Sequence, residues 1–125
     1  MIHPRPILSE AQLHKAAAQF LAATLPPEVI WTTIGHGGGG KIRGAQLKVM
    51  GVKRGVPDLL LCWWDGWRTR IGWIELKSAK GRASPEQTTF MDCARDLAHD
   101  TTVCRSLKEL EDILKSWRVP TRLAA

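Results

Sequence analysis

A chain of 125 residues, 44% of them hydrophobic, is long enough for one core and short for two, so a single domain over 1–125 is expected, with its core at about 9–117 and short flexible termini. No apolar run approaches the roughly 18 residues of a membrane span, which argues against a membrane partner. The net charge of +6 favours a polyanion.

Two prolines, a His and an Arg fill Met1 to Pro6 without an apolar segment, so the expected location is cytoplasmic. Ser9-Glu10-Ala11-Gln12 is a capping-box pattern, and the apolar spacing from Leu13 to Ala23 predicts an amphipathic helix over 10–24, stopped by Pro26-Pro27. Val29 to Ile34 is β-branched and aromatic and reads as a strand. Gly35 to Gly40 is expected to form a flexible loop, and 45–50 a short helix closed by Gly51.

Asp58 to Trp64 reads as a largely buried strand, and Asp65-Gly66 as a two-residue hairpin turn into a returning strand over 67–77. Ser84-Pro85-Glu86-Gln87 repeats the capping signature, with Pro at the first helical position, and predicts a helix to about Ala98. A short strand over 101–105 and a third capping box, Ser106 to Glu109, lead into a last amphipathic helix through Trp117. Two strands flanking a helix imply a crossover, hence an α/β fold with a mixed sheet and helices on both faces. Cys62, Cys93 and Cys104 are three, widely spaced, and suggest buried thiols rather than disulfides or a zinc site.

The chemistry gathers on the hairpin. A turn at Asp65-Gly66 returns the second strand alongside the first, which brings Glu75 near Asp58. Glu75 and Lys77 are two apart and share a strand face. Two carboxylates held close repel unless a cation lies between them. Lys77 can be that cation, and so can Mg²⁺, which takes carboxylate oxygens, waters and phosphate. A metal so held can activate water for phosphodiester hydrolysis. From Lys41 to Arg82 there are ten Lys and Arg against three acids, so the motif sits in a basic segment suited to a phosphate backbone. The rival reading is a polar outer face on a half-buried strand.

Pro57-Asp58 followed by Glu75-Leu76-Lys77 resembles the PD-(D/E)XK nuclease signature. The flanks KRGVPDLLL and WIELKSAKGRASPEQ, then SLKELEDIL, are similar to the VRR-NUC family in its stand-alone phage and bacterial form, over roughly residues 9 to 117. That resemblance implies a restriction-endonuclease-like αβββαβ core. It also implies Mg²⁺ or Mn²⁺ on Asp58, Glu75 and the Leu76 carbonyl, and Lys77 as the catalytic lysine, with Glu10 and Gln87 completing the site. Their rival roles are a favourable first-turn charge for Glu10 and a capping box for Gln87.

No small-molecule cofactor is expected. DNA is the implied partner, contacted by Lys41, Arg43, Lys48, Lys53, Arg54, Lys80 and Arg82, or else these cations are a solvated face. Stand-alone relatives are similar to Holliday junction resolvases that act as homodimers on branched DNA. The alternatives are a flap or nicking nuclease, or an inactive nucleic-acid-binding module. His36 lacks a second His or Cys at ligand spacing. Trp63, Trp64, Trp67 and Trp73 cluster on the hairpin, where core packing, a dimer face and base stacking are all open to them.

Overall fold

Ser9 starts the fold as expected. Its hydroxyl accepts the N–H of Gln12 at 3.1 Å, and the Gln12 side chain accepts the N–H of Ser9 at 2.9 Å. Two orphan donors at the helix start are thereby satisfied. The helix, α1 (Glu10–Thr24), buries Leu13, Ala17, Leu21 and Thr24, a stripe at helical spacing. The structure is a computed structural model that describes residues 7–34, 49, 51 and 53–122. The expected Gly35–Gly40 loop, nearly all of the 45–50 helix, and Lys41, Arg43 and Lys48 lie outside the described residues.

Among the described residues four strands follow: β1 (Ile30–Thr33), β2 (Leu59–Trp64), β3 (Thr69–Leu76) and β4 (Asp100–Cys104). They lie in the order β1-β2-β3-β4. The first three are antiparallel, and β4 runs parallel to β3 after the crossover helix α2 (Pro85–Asp96). A last helix, α3 (Leu107–Ser116), completes the chain order, which contains the expected αβββαβ core.

The hairpin turn differs from its sequence signal. Pairing ends at Trp64 with Thr69, leaving four residues in the turn rather than two. Asp65 causes this, because its carboxylate accepts the N–H groups of Trp67 at 2.8 Å and Arg68 at 2.9 Å. The side chain thus takes donors that a two-residue turn would give to the ladder. The longer turn shifts the register so that Leu59 faces Ile74. Asp58 then stands one step further along, level with Glu75.

The pleat sends Leu59, Leu61, Trp63, Ile74 and Leu76 to one face, into a core with Leu13, Ala17 and Leu21 of α1 and Leu110 and Leu114 of α3. Trp63 stacks on Trp117, with ring centroids 5.8 Å apart. On the other face α2 packs beside β4, and its Phe90 meets Trp73 edge to face at 4.9 Å. Helices therefore lie on both faces, but β2 is not buried throughout. Leu60 and Cys62 are half-buried and Trp64 is exposed, because α2 covers only the β3–β4 side.

Two smaller expectations also change. Ser106 caps α3 by accepting the N–H of Glu109, yet the Glu109 carboxylate takes the N–H of Arg105, so the third capping box is only half made. Of the thiols, only Cys104 is buried. Cys62 lies on the partly open sheet face and Cys93 on the outer side of α2.

Candidate active site

The site lies where the β2 and β3 ends meet the starts of α1 and α2. Asp58 enters it because its backbone is held from both sides. Its carbonyl accepts the N–H of Ile34 at 2.7 Å, and its own N–H donates to Glu75 Oε1 at 3.2 Å. The favour is returned next door. Asp58 Oδ2 accepts the N–H of Leu76 at 2.8 Å. Each carboxylate thus satisfies a backbone donor on the other strand, and the two acids are fixed side by side.

Glu75 is 1% exposed, so water screens its charge little. Burial, then the neighbouring charge of Asp58 and the contact between the two carboxyls, push its pKa up to about 7 despite the help of Lys77. Its second oxygen meets Lys77 Nζ at 3.2 Å and accepts a short hydrogen bond from the Gln87 side-chain amide. Lys77 also lies 3.6 Å from Glu10 Oε1. Burial works against the Lys77 charge, but the hydrogen bond to Glu75 and the charges of Glu75, Glu10 and Asp58 outweigh it and raise the lysine pKa.

Gln87 serves in two places at once. Its amide oxygen accepts the N–H of Ser84 at 2.8 Å and its backbone N–H reaches the Ser84 hydroxyl at 3.1 Å, completing the α2 capping box. The amide nitrogen is left free to donate to Glu75. The cap therefore fixes which end of the amide faces the acids.

Glu10, Asp58 and Glu75 each offer a carboxylate oxygen, and these three atoms lie within 4.8 Å of one another. Hard oxygen donors at this spacing suit a hard divalent cation. Burial first, and then the Asp58 charge, raise the Glu75 pKa more than Lys77 lowers it, and a divalent ion at these oxygens would favour the ionised form. The residues present fit such an ion. Leu76 joins the site through its backbone, its side chain being buried in the core.

Of the basic residues proposed from sequence, Lys53, Arg54, Lys80 and Arg82 are exposed. Arg54 lines a shallow cleft with Pro85, Glu86 and Phe90 at the start of α2. Trp63 is core and Trp73 is half-buried, bonded through its indole N–H to His99 at 3.0 Å. Trp64 and Trp67 are exposed, at 59% and 81%.

Two residues near the site escaped sequence reasoning. Gly55 has φ +83°, and a Cβ there would stand 2.8 Å from the Gln87 backbone nitrogen. Its lack of a side chain lets the approach to β2 lie on the first turn of α2. A glycine just before Val56-Pro57 was the available signal. Arg105 donates through Nη1 to the carbonyls of Ser78, at 2.8 Å, and Gly81. Nothing in its local sequence marks it.

Searches of curated proteins and of solved structures gave no match. The VRR-NUC domain matches residues 9–108, from the cap of α1 through β4 and into the first turn of α3. A match of that extent, on a sheet of this topology, means that the chain belongs to the VRR-NUC family and is a nuclease of the PD-(D/E)XK type.

Proposed function

We propose that the protein is a Mg²⁺- or Mn²⁺-dependent structure-selective DNA endonuclease, acting as a homodimer on four-way junctions. The observation that carries the metal-dependent reading is the meeting of Glu10, Asp58 and Glu75 oxygens beside the Lys77 ammonium. In this reading Asp58, Glu75 and the Leu76 carbonyl hold the ion, with Glu10 at its exposed side. When bound, the ion supplies Lewis acidity toward a phosphoryl oxygen and eases deprotonation of water.

The chain's own groups do the rest. Asp58 and Glu75 are fixed by backbone donors, so they need no rearrangement to receive a cation. Lys77, charged and with its side chain 14% exposed beside Glu75 and Glu10, donates toward the attacking water or the negative charge developing on the phosphate. Gln87 holds the Glu75 carboxylate by donating from its side-chain amide to the second oxygen. Lys53, Arg54, Lys80 and Arg82, with Lys41, Arg43 and Lys48, contact the DNA backbone. The support for a two-fold partner is the partly open sheet face, where Ile30 and Trp64 are 67% and 59% exposed.

The test is cleavage of a labelled four-way junction, a flap and a plain duplex, in Mg²⁺ and in EDTA, with Lys77→Ala alongside. Paired symmetric cuts of the junction, lost in EDTA and in the variant, are expected. Cutting of the flap alone would remove the junction assignment and keep the nuclease. DNA binding with no EDTA-sensitive cutting of any substrate, also in Mn²⁺, would leave a binding module. The variant should keep most DNA affinity, since many cations share that work.

A further inference from the structure

Lys77 is followed directly by a turn, Ser78 to Gly81, which closes on itself. The Gly81 N–H reaches the Ser78 carbonyl at 3.1 Å and the Ser78 hydroxyl at 3.1 Å. A turn so bonded keeps its shape without outside help, but nothing in these bonds ties it to the sheet. Arg105 makes that tie. From just beyond β4, its Nη1 donates to the Ser78 carbonyl at 2.8 Å and to the Gly81 carbonyl. The base of Arg105 is itself held, since its backbone N–H donates to Glu109 at 2.6 Å. The preceding carbonyl, that of Cys104, accepts the Lys77 N–H at 3.0 Å.

The turn bears on Lys77. A Cβ at Gly81 would lie 3.5 Å from Lys77 Cδ, so Gly81 faces the lysine stem across a gap about one methyl group wide. A four-carbon stem with free rotors holds its ammonium in one place only if its surroundings restrict it. On one end are Glu75 and Glu10; along the stem is the turn that Arg105 anchors.

We propose that Arg105 is a positioning residue, which pins the Ser78–Gly81 turn against the Lys77 stem and so holds the ammonium at Glu75 and Glu10. The same anchor fixes where Lys80, exposed in the turn, and Arg82 just after it stand relative to the acids. Only the kinetic consequence rests on the nuclease reading above; the anchoring itself is readable in the metal-free protein.

The experiment compares wild type, Arg105→Ala and Arg105→Lys by NMR and by cleavage. In Arg105→Ala the Gly81 amide should exchange about tenfold faster and the Lys77 Cε should lose order in ¹³C relaxation. The Lys77 amide, bound to Cys104, should keep its protection. kcat should fall about tenfold while KM changes less than about threefold, because many cations share DNA binding. Arg105→Lys, which retains a cation able to reach a carbonyl, should show the same changes at smaller amplitude, and it serves if the alanine variant fails to fold. Unchanged Gly81 exchange and Lys77 order would overturn the proposal whatever the activity, and so would an unchanged kcat beside a cutting wild type. A wild type that cuts nothing would remove the nuclease reading, and the exchange and relaxation data would still decide the anchor.

Discussion

Asp58 and Glu75 are cross-bonded through each other's strand: the Asp58 N–H donates to the Glu75 carboxylate, and the Asp58 carboxylate accepts the N–H of Leu76, the residue after Glu75. Two acids that would drift apart in water are thereby held together by the backbone. Burial of Glu75, and then the repulsion between the two acids, raise the Glu75 pKa to about 7. A site that stores such repulsion is ready for a cation and is less stable without one.

Asp58→Asn should therefore stabilise the metal-free protein while destroying its function. The asparagine oxygen can still accept the Leu76 N–H, and its amide can donate to Glu75 where a like charge stood. The expected gain is about 1 kcal/mol, a few degrees in Tm. The variant should lose the Mg²⁺-induced rise in Tm and all cleavage. Thermal melts with and without Mg²⁺ check both. A metal-free variant less stable than wild type would mean that the two carboxylates do not oppose each other.

The pH dependence follows from Glu75. Its folded pKa lies above the ordinary value of 4.5, so the folded chain binds this proton more tightly than the unfolded chain. The stabilisation is complete below about 4.5 and is lost as pH rises through about 7. Metal-free protein should thus melt lower at pH 8 than at pH 6, with a flatter profile in Asp58→Asn. A cation and the proton compete for the same oxygens, so Mg²⁺ should bind about tenfold more tightly at pH 8 than at pH 6. Calorimetric titration at the two pH values measures this, and equal affinities would separate Glu75 from the metal.

Much of the site was legible in the sequence for simple reasons. A strand period of two puts Glu75 and Lys77 on one face, and any short turn near Asp65 returns them toward Asp58. The register was not legible, because Asp65 hydrogen-bonds Trp67 and Arg68 and enlarges the turn. Propensity for a two-residue turn lost to that side chain. The uneven covering of β2 was hidden as well, since it depends on where α2 crosses the sheet. Arg105 was out of reach for another reason: its partners, Ser78 and Gly81, lie across a helix and a strand in the chain.

The sequence offers Gln87 both a cap and a site role, and the geometry joins the two. The substitution Gln87→Glu tests the join. A glutamate can still accept the Ser84 N–H, so the cap survives, but a carboxylate now faces Glu75 in place of an amide donor. Metal-free stability should fall by about 1–2 kcal/mol, and Mg²⁺ should restore more of it than it adds to wild type. Urea unfolding with and without Mg²⁺ provides the measurement. Gln87→Ala should instead lose about 1 kcal/mol from the bond to the Ser84 N–H, while the backbone N–H of residue 87 still caps on the Ser84 hydroxyl, with no extra recovery in Mg²⁺. Identical behaviour of the two variants would confine Gln87 to capping.

Gly55→Ala carries the argument to the frame that sets the site. Gly55 has φ +83°, where an alanine costs about 1 kcal/mol from backbone strain alone. Its Cβ would also press on the Glu86 carbonyl and stand 2.8 Å from the Gln87 nitrogen. Both are backbone atoms of the first turn of α2 and cannot rotate away. Either α2 or the 53–57 segment must shift, and each carries a site residue, Gln87 on one and Asp58 just after the other. The expected result is a loss of about 2–3 kcal/mol in stability, with cleavage reduced well beyond the unfolded fraction. Activity measured below the variant's melting range separates the two effects. Full activity per folded molecule there would show that the contact between Gly55 and α2 supports the fold without setting the site.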